Sequence, residues 1–251
     1  TGGYGHDTGG NATSVMLDAG TGTITMAAPI IVVGGGTSSN FGTAGGSGGA
    51  VDITAGTFTL TGNIDARGSF GYAQGGHGGS IDIDAGSGGV AVTGHILAQG
   101  GSGYQGYGGD GGNVTIFSVG PVTIGPNAAD PYTGNPESIG FAAIDARGGS
   151  GDNSGGNGGQ VIISASAIDP TNSTHGASIS TAGGSANNGY SGNGGNIALT
   201  ATGAISNLRV YSDGGGYAYN TGGNAGTISV NAASLTGVRL YARGGYGYDQ
   251  G

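Results

Sequence analysis

The chain has 251 residues, 65 of them glycine, and a formal net charge of −9 at pH 7 with no lysine at all. That charge balance disfavours nucleic acid and anionic membrane as partners, and the lack of cysteine removes disulfides and thiolate metal sites. No apolar run approaches the roughly 20 residues of a membrane-spanning helix. So much glycine suits a disordered chain, but 35% of the residues are hydrophobic, and their pattern decides against disorder.

In chain order, a double glycine, replaced by Ser-Gly in one copy, opens seven similar segments. They read GGNATSVML from Gly9, GGSGGAVDI from Gly45, GGHGGSIDI from Gly75 and GGDGGNVTI from Gly108. They continue with GGNGGQVII from Gly155, SGNGGNIAL from Ser191 and GGNAGTISV from Gly222. Each ends on an alternating apolar pair, from Val15/Leu17 and Val51/Ile53 through to Ile228/Val230. A weaker strand signal follows (TITM, FTL, VAV, VTI). Next comes apolar-x-small-x-Gly, as in IDARG at Ile64, ILAQG at Ile96, IDARG at Ile144 and LYARG at Leu240, which leads into the next glycine arm. Alternation over three to five residues marks β-strand, and no 3.6-residue apolar stripe follows a capping box anywhere.

The expected fold is all-β: a parallel β-helix, or β-solenoid, of about seven coils. Each coil has three short strands, and the glycine-rich arms stack on one another. Glycine suits such arms because it admits positive φ at corners and lets backbones approach closely; partly polyproline-II-like geometry is expected there. The whole of 1–251 reads as one repeat domain. A Pro-rich insert spans 125–140, and a smaller excursion, DPTNSTHG, follows Ile168. The chain starts and stops inside arms of similar sequence, GGYGHDTG from Gly2 and GGYGYDQG from Gly244. This suggests a segment of a longer array or a subunit that stacks head to tail.

The recurrent I-x-A-x-G-G and G-G-x-G-G-x-V-x-I patterns resemble the glycine-rich β-helical repeat regions of bacterial exported surface proteins, in the style of filamentous-haemagglutinin-like adhesins and autotransporter passengers. The resemblance implies an extracellular or cell-surface location and a role in adhesion or fibre building. It assigns no functional residue.

G-x-G-x-x-G matches lack the helix that a phosphate cradle needs. The calcium nonapeptide of exported toxins needs Asp at a position that here holds Ser14, Ala50, Ser80, Asn113, Gln160, Asn196 and Thr227. Asp52, Asp82 and Asp84, on one strand face, are the candidate ligands of a different calcium site; no other cofactor is expected. Arg67, Arg147 and Arg243, with Asp65 and Asp145, recur as repeat consensus rather than at one unique place, so no catalytic residue is assigned.

Nine of the twelve tyrosines lie in the arms. Tyr104, Tyr107, Tyr217, Tyr219, Tyr246 and Tyr248, with Tyr132 of the insert, are the candidate interaction residues. Asn11, Asn113 and Asn172 head N-glycosylation sequons. The expected partners are further copies or adjoining repeats end to end, and glycans or cell surfaces. The functional expectation is a non-enzymatic structural protein of a surface fibre, filament or adhesin shaft. The alternatives are a carbohydrate-binding tip and, third, a polysaccharide-degrading β-helix.

Overall fold

The computed structural model describes residues 1–37, 43–125, 142–170, 177–216 and 219–248. Strands alternate with glycine arms throughout, with no helix among the described residues, and every strand pairing is parallel. The first rung is β1 (Val15–Asp18), β2 (Thr23–Met26) and β3 (Ile30–Ile31). The second is β4 (Val51–Leu60) and β5 (Ile64–Asp65), and the third β6 (Ile81–Val92) and β7 (Ile96–Leu97). The fourth holds β8 (Val114–Ser118), β9 (Val122–Ile124) and β10 (Ile144–Asp145); the fifth, β11 (Val161–Ala165), β12 (Ile168–Pro170) and β13 (Ala177–Ser180). The sixth is β14 (Ile197–Ala201), β15 (Ala204–Ser206) and β16 (Leu208–Tyr211), and the seventh β17 (Ile228–Asn231), β18 (Ser234–Thr236) and β19 (Arg239–Tyr241).

Seven rungs joined by six turns make a β-solenoid. One detail differs from expectation. In rungs 2 and 3 the first two strands run together as β4 and β6, and the corner between them survives as a register shift at Ala55/Thr57. Glycines at that corner, Gly56 and Gly86, leave the ladder flexible enough to bend without breaking.

The apolar columns stack in register. Val15, Val51, Ile81, Val114, Val161, Ile197 and Ile228 are successive partners, as are Leu17, Ile53, Ile83, Ile116, Ile163, Leu199 and Val230. On the opposite wall Ile30, Ile64, Ile96, Ile144, Ile179, Val210 and Leu240 do the same. Rungs 2 to 6 bury these side chains almost completely. Each buried Val, Ile or Leu contributes about 1.5–3 kcal/mol against exposure. Met16 points outward, whereas Met26 packs against the core.

The arms are ordered by hydrogen bonds with a period of three residues. In the returning limb of the Gly100–Gly112 arm, the N–H groups of Gly108, Gly111 and Val114 donate to Ser154, Asn157 and Gln160 of the next coil. Those of Gly109 and Gly112 donate across the same arm, to Gly101 and Ala98. The outgoing limb reaches back, Gly101 N–H donating to Gly76 of the preceding arm. Three directions served in turn match the three residues per turn of a polyproline II helix, not the two-residue period of strand. Buried backbone is thereby satisfied in the absence of a sheet.

The reason for glycine in the arms is proximity. The described glycines with positive φ are Gly20, Gly89 and Gly237, all at strand corners and none in an arm; Asn207, the rung-6 counterpart of Gly237, shares that conformation. The expected need for positive φ in the arms is therefore not what the backbone shows. Close approach is: a Cβ on Gly109 would lie 2.1 Å from the Gly76 carbonyl oxygen, and one on Gly156 2.0 Å from that of Gly109.

The exposed third direction is filled by side chains. At the x of GGxGG stand Asn11, Ser47, His77, Asp110, Asn157, Asn193 and Asn224. Each of the first six accepts the backbone N–H of the next: Ser47 to Asn11 Oδ1 at 2.8 Å, His77 to Ser47 Oγ at 3.3 Å and Asp110 to His77 Nδ1 at 3.0 Å. Asn157 to Asp110 Oδ1 at 2.7 Å, Asn193 to Asn157 Oδ1 at 3.0 Å and Asn224 to Asn193 Oδ1 at 2.9 Å complete a spine along all seven coils.

Replacing Gly109 by Ala should cost about 2–3 kcal/mol by overpacking. Gly3→Ala, whose Cβ meets nothing within 4 Å, should be neutral or slightly stabilising. Chemical denaturation of the two variants beside the parent checks the difference.

Candidate functional site

The arm tips form one long edge. Isolated parallel bridges join Thr8, Ala44, Gln74, Tyr107, Ser154, Tyr190 and Thr221 in a column from arm to arm. Arms of nearly constant length put equivalent residues at equivalent heights, so side chains at the tips line up along the axis. Tyr4, Tyr104, Tyr107, Tyr190, Tyr219, Tyr246 and Tyr248 stand there between 57% and 85% exposed.

Neighbouring tips are coupled in pairs. Tyr72 and Tyr104 meet with ring centroids 5.6 Å apart and planes tilted by 44°. Two arms further on, Asn188 Nδ2 donates to both carboxylate oxygens of Asp152 at 3.0 Å, and Asn187 Nδ2 adds a third bond at 3.3 Å. Beyond these, Tyr219 and Tyr248 lie 6.2 Å apart at 37°. Chemically the edge offers aromatic faces, phenol hydroxyls and amides, with little charge.

Of the expected interaction residues, Tyr104, Tyr107, Tyr219, Tyr246 and Tyr248 all lie on this edge; Tyr132 and Tyr217 fall outside the described residues, as do nearly all of the 125–140 insert and Asn172. Asn11 and Asn113 are exposed on the returning limbs, their Oδ1 atoms accepting the N–H groups of Ser47 and Gln160.

Asp52 and Asp82 are register partners on adjacent rungs, both exposed, while Asp84 pairs with Thr54. The described residues hold no group of three His, Asp or Glu side chains placed to hold a metal ion. The pair stacks two carboxylates on an exposed strand face.

The Asp–Arg consensus makes forks at the base of the arms. Arg67 Nε and Nη2 donate to Asp65 at 2.9 and 2.7 Å. Arg147 does the same to Asp145, which is wholly buried and also accepts Gln99 Nε2 at 2.6 Å. Arg243 instead reaches one rung back to Asp213 at 2.7 Å and lies over the Tyr241 ring. Hydrogen bonding to Asp65 raises the Arg67 pKa; for Arg147, burial pulls downward but attraction to Asp145 prevails. Both guanidiniums stay charged, and both carboxylates are committed to them. A groove of about 790 Å³ beside the last arm is lined by Asp213, Arg243, Tyr246 and Tyr248.

The side-chain spine escaped the sequence reading. Its signal was present, since every x of GGxGG carries a short acceptor, but nothing one-dimensional said where those acceptors point.

Arg147→Ala should destabilise by about 3–5 kcal/mol, because it strands a buried carboxylate, whereas Arg243→Ala, with its largely exposed guanidinium, should change stability by less than about 1 kcal/mol; denaturant unfolding of both variants beside the parent reads the difference. Asp82→Asn should raise stability by a few tenths of a kcal/mol at low salt by relieving the Asp52 contact, and calcium followed by chelator should leave the parent's melting unchanged; a calcium-dependent rise abolished in the variant would instead establish an ion there. No family model, no curated protein and no solved structure matches the chain.

Proposed function

We propose that the chain is a stretch of an extracellular structural shaft, part of a surface fibre, filament or adhesin stalk. The observation that carries this reading is the unbroken register of seven rungs on every wall, continued outward through the arms. Six steps of about 4.8 Å set the first and last rungs about 29 Å apart. Ladders, apolar columns, arm lattice and side-chain spine all run along one axis. A load along that axis is shared among many parallel hydrogen bonds, so the object is stiff.

Further rungs end to end are the partners that this geometry accepts. The first rung pairs on one side only, with rung 2, and the last only with rung 6. Edge strands of this kind recruit another strand readily. Their apolar residues, Val15, Leu17, Ile228 and Val230, are only partly covered and would be sealed by a further coil. The sequence style shared with exported adhesins supports a place outside the cell.

A second reading has its own support. The exposed tyrosines of the tip edge, and the groove where the Asp213–Arg243 fork faces Tyr246 and Tyr248, offer what a glycan needs. Aromatic faces stack on sugar rings, and a planar fork meets paired hydroxyls.

Electron microscopy of the native material should show rods whose axial repeat is about 4.8 Å per coil, and compact single particles would overturn the shaft. On glycan arrays, Tyr246→Ala with Tyr248→Ala separates the readings. A signal abolished by the pair supports tip binding, and no signal from the parent removes it.

A further inference from the structure

We propose that the paired tip tyrosines, Tyr72 with Tyr104 and Tyr219 with Tyr248, are sites of oxidative cross-linking that staple consecutive arms through dityrosine. This goes beyond the shaft reading and does not depend on it. Three observations lead to it. The chain contains no cysteine and no lysine, so neither thiol nor amine side chains can join coil to coil covalently. Tyrosine is left as the side chain able to form a carbon–carbon bond with its own kind. The two pairs arise in separate parts of the solenoid, 5.6 and 6.2 Å between centroids, each across adjacent arms. Tyr104, Tyr219 and Tyr248 are exposed, and Tyr72 half-buried, so an oxidant reaches each pair from solvent.

The backbone holds the first pair in place. Gly71 and Gly103 bridge the two arms, Tyr104 N–H donates to Gly71, and Gln105 N–H donates to Tyr72. The ring centroids lie 5.6 Å apart with planes tilted by 44°. Coupling joins the carbons next to the phenol oxygens. Tyr211 and Tyr241 supply the contrast: stacked 4.7 Å apart and 6° from parallel, they are partly buried on β16 and β19, with Arg243 over the Tyr241 ring, away from the exposed tips.

The reaction balances with hydrogen peroxide and a haem peroxidase, or an equivalent one-electron oxidant. Each phenol gives up one electron and its hydroxyl proton to become a phenoxyl radical. The two radicals combine between ortho carbons, each of those carbons loses its hydrogen, and the oxygens are reprotonated. One C–C bond forms, two hydrogens leave, and one peroxide becomes two waters.

The test treats the 251-residue chain, at high dilution, with peroxidase and peroxide, then digests it and maps dityrosine by fluorescence and mass spectrometry. The expected result is intramolecular coupling, two hydrogen masses lost per bond, concentrated in peptides joining Tyr72 to Tyr104 and Tyr219 to Tyr248. Tyr104→Phe should abolish the first product and leave the second at parental yield; Tyr248→Phe should do the reverse. Circular dichroism checks that each variant keeps its strands. Coupling spread over Tyr4, Tyr107, Tyr190 and Tyr246 according to exposure would overturn the proposal. So would dominance of Tyr211–Tyr241, products mainly between molecules, or no dityrosine where free N-acetyltyrosine couples.

Discussion

The structure depends on backbone meeting backbone from one coil to the next. In the walls this is an ordinary parallel ladder. In the arms it is denser, because each limb bonds to the next coil and to the limb opposite. The separation is so small that a methyl group on most arm glycines would enter a neighbouring carbonyl oxygen. Residues without Cβ are therefore a steric requirement of the packing. Fixing so much glycine costs about 1–2 kcal/mol per residue in backbone entropy, and hydrogen bonds alone, at about 0.5–1.5 kcal/mol net each, roughly offset it. The buried isoleucine, valine and leucine columns provide the surplus, which makes the arms dependent on the core they project from.

The side chains that remain are placed by this lattice. Inward positions are apolar and stacked. Forks of Asp and Arg guard the point where wall becomes arm, and the buried Asp145 is tolerable because Arg147 and Gln99 together satisfy it. Along the returning limbs, short acceptors take up the N–H groups that backbone carbonyls leave over. Within the arms, the exposed tyrosines stand at the tips. The tyrosine edge thus follows from the same crowding that selects glycine below it.

That division of labour separates a repeated scaffold from a variable surface. The ladders, apolar columns and side-chain spine repeat from coil to coil. Variation is confined to tips, corners and inserts, where a change in one coil does not disturb the register of the next. Tip contacts couple neighbouring arms without crossing the core.

The amino-acid order by itself determined the repeat, its parallel strands and the identity of the inward columns. Two-residue alternation at a fixed place in every window admits one stacked solution, so Val15 through Ile228 were legible as a single column. It also marked the tyrosines as arm residues, since they sit among glycines. Tertiary structure decided what one dimension does not encode: which limb each arm N–H addresses, that arm glycines serve proximity rather than positive φ, and that Tyr72 meets Tyr104. It also turned Asn11, Ser47, His77, Asp110, Asn157, Asn193 and Asn224 into a continuous spine. These are relations between residues about thirty to forty-seven positions apart, and they exist only once successive coils lie about 4.8 Å from one another.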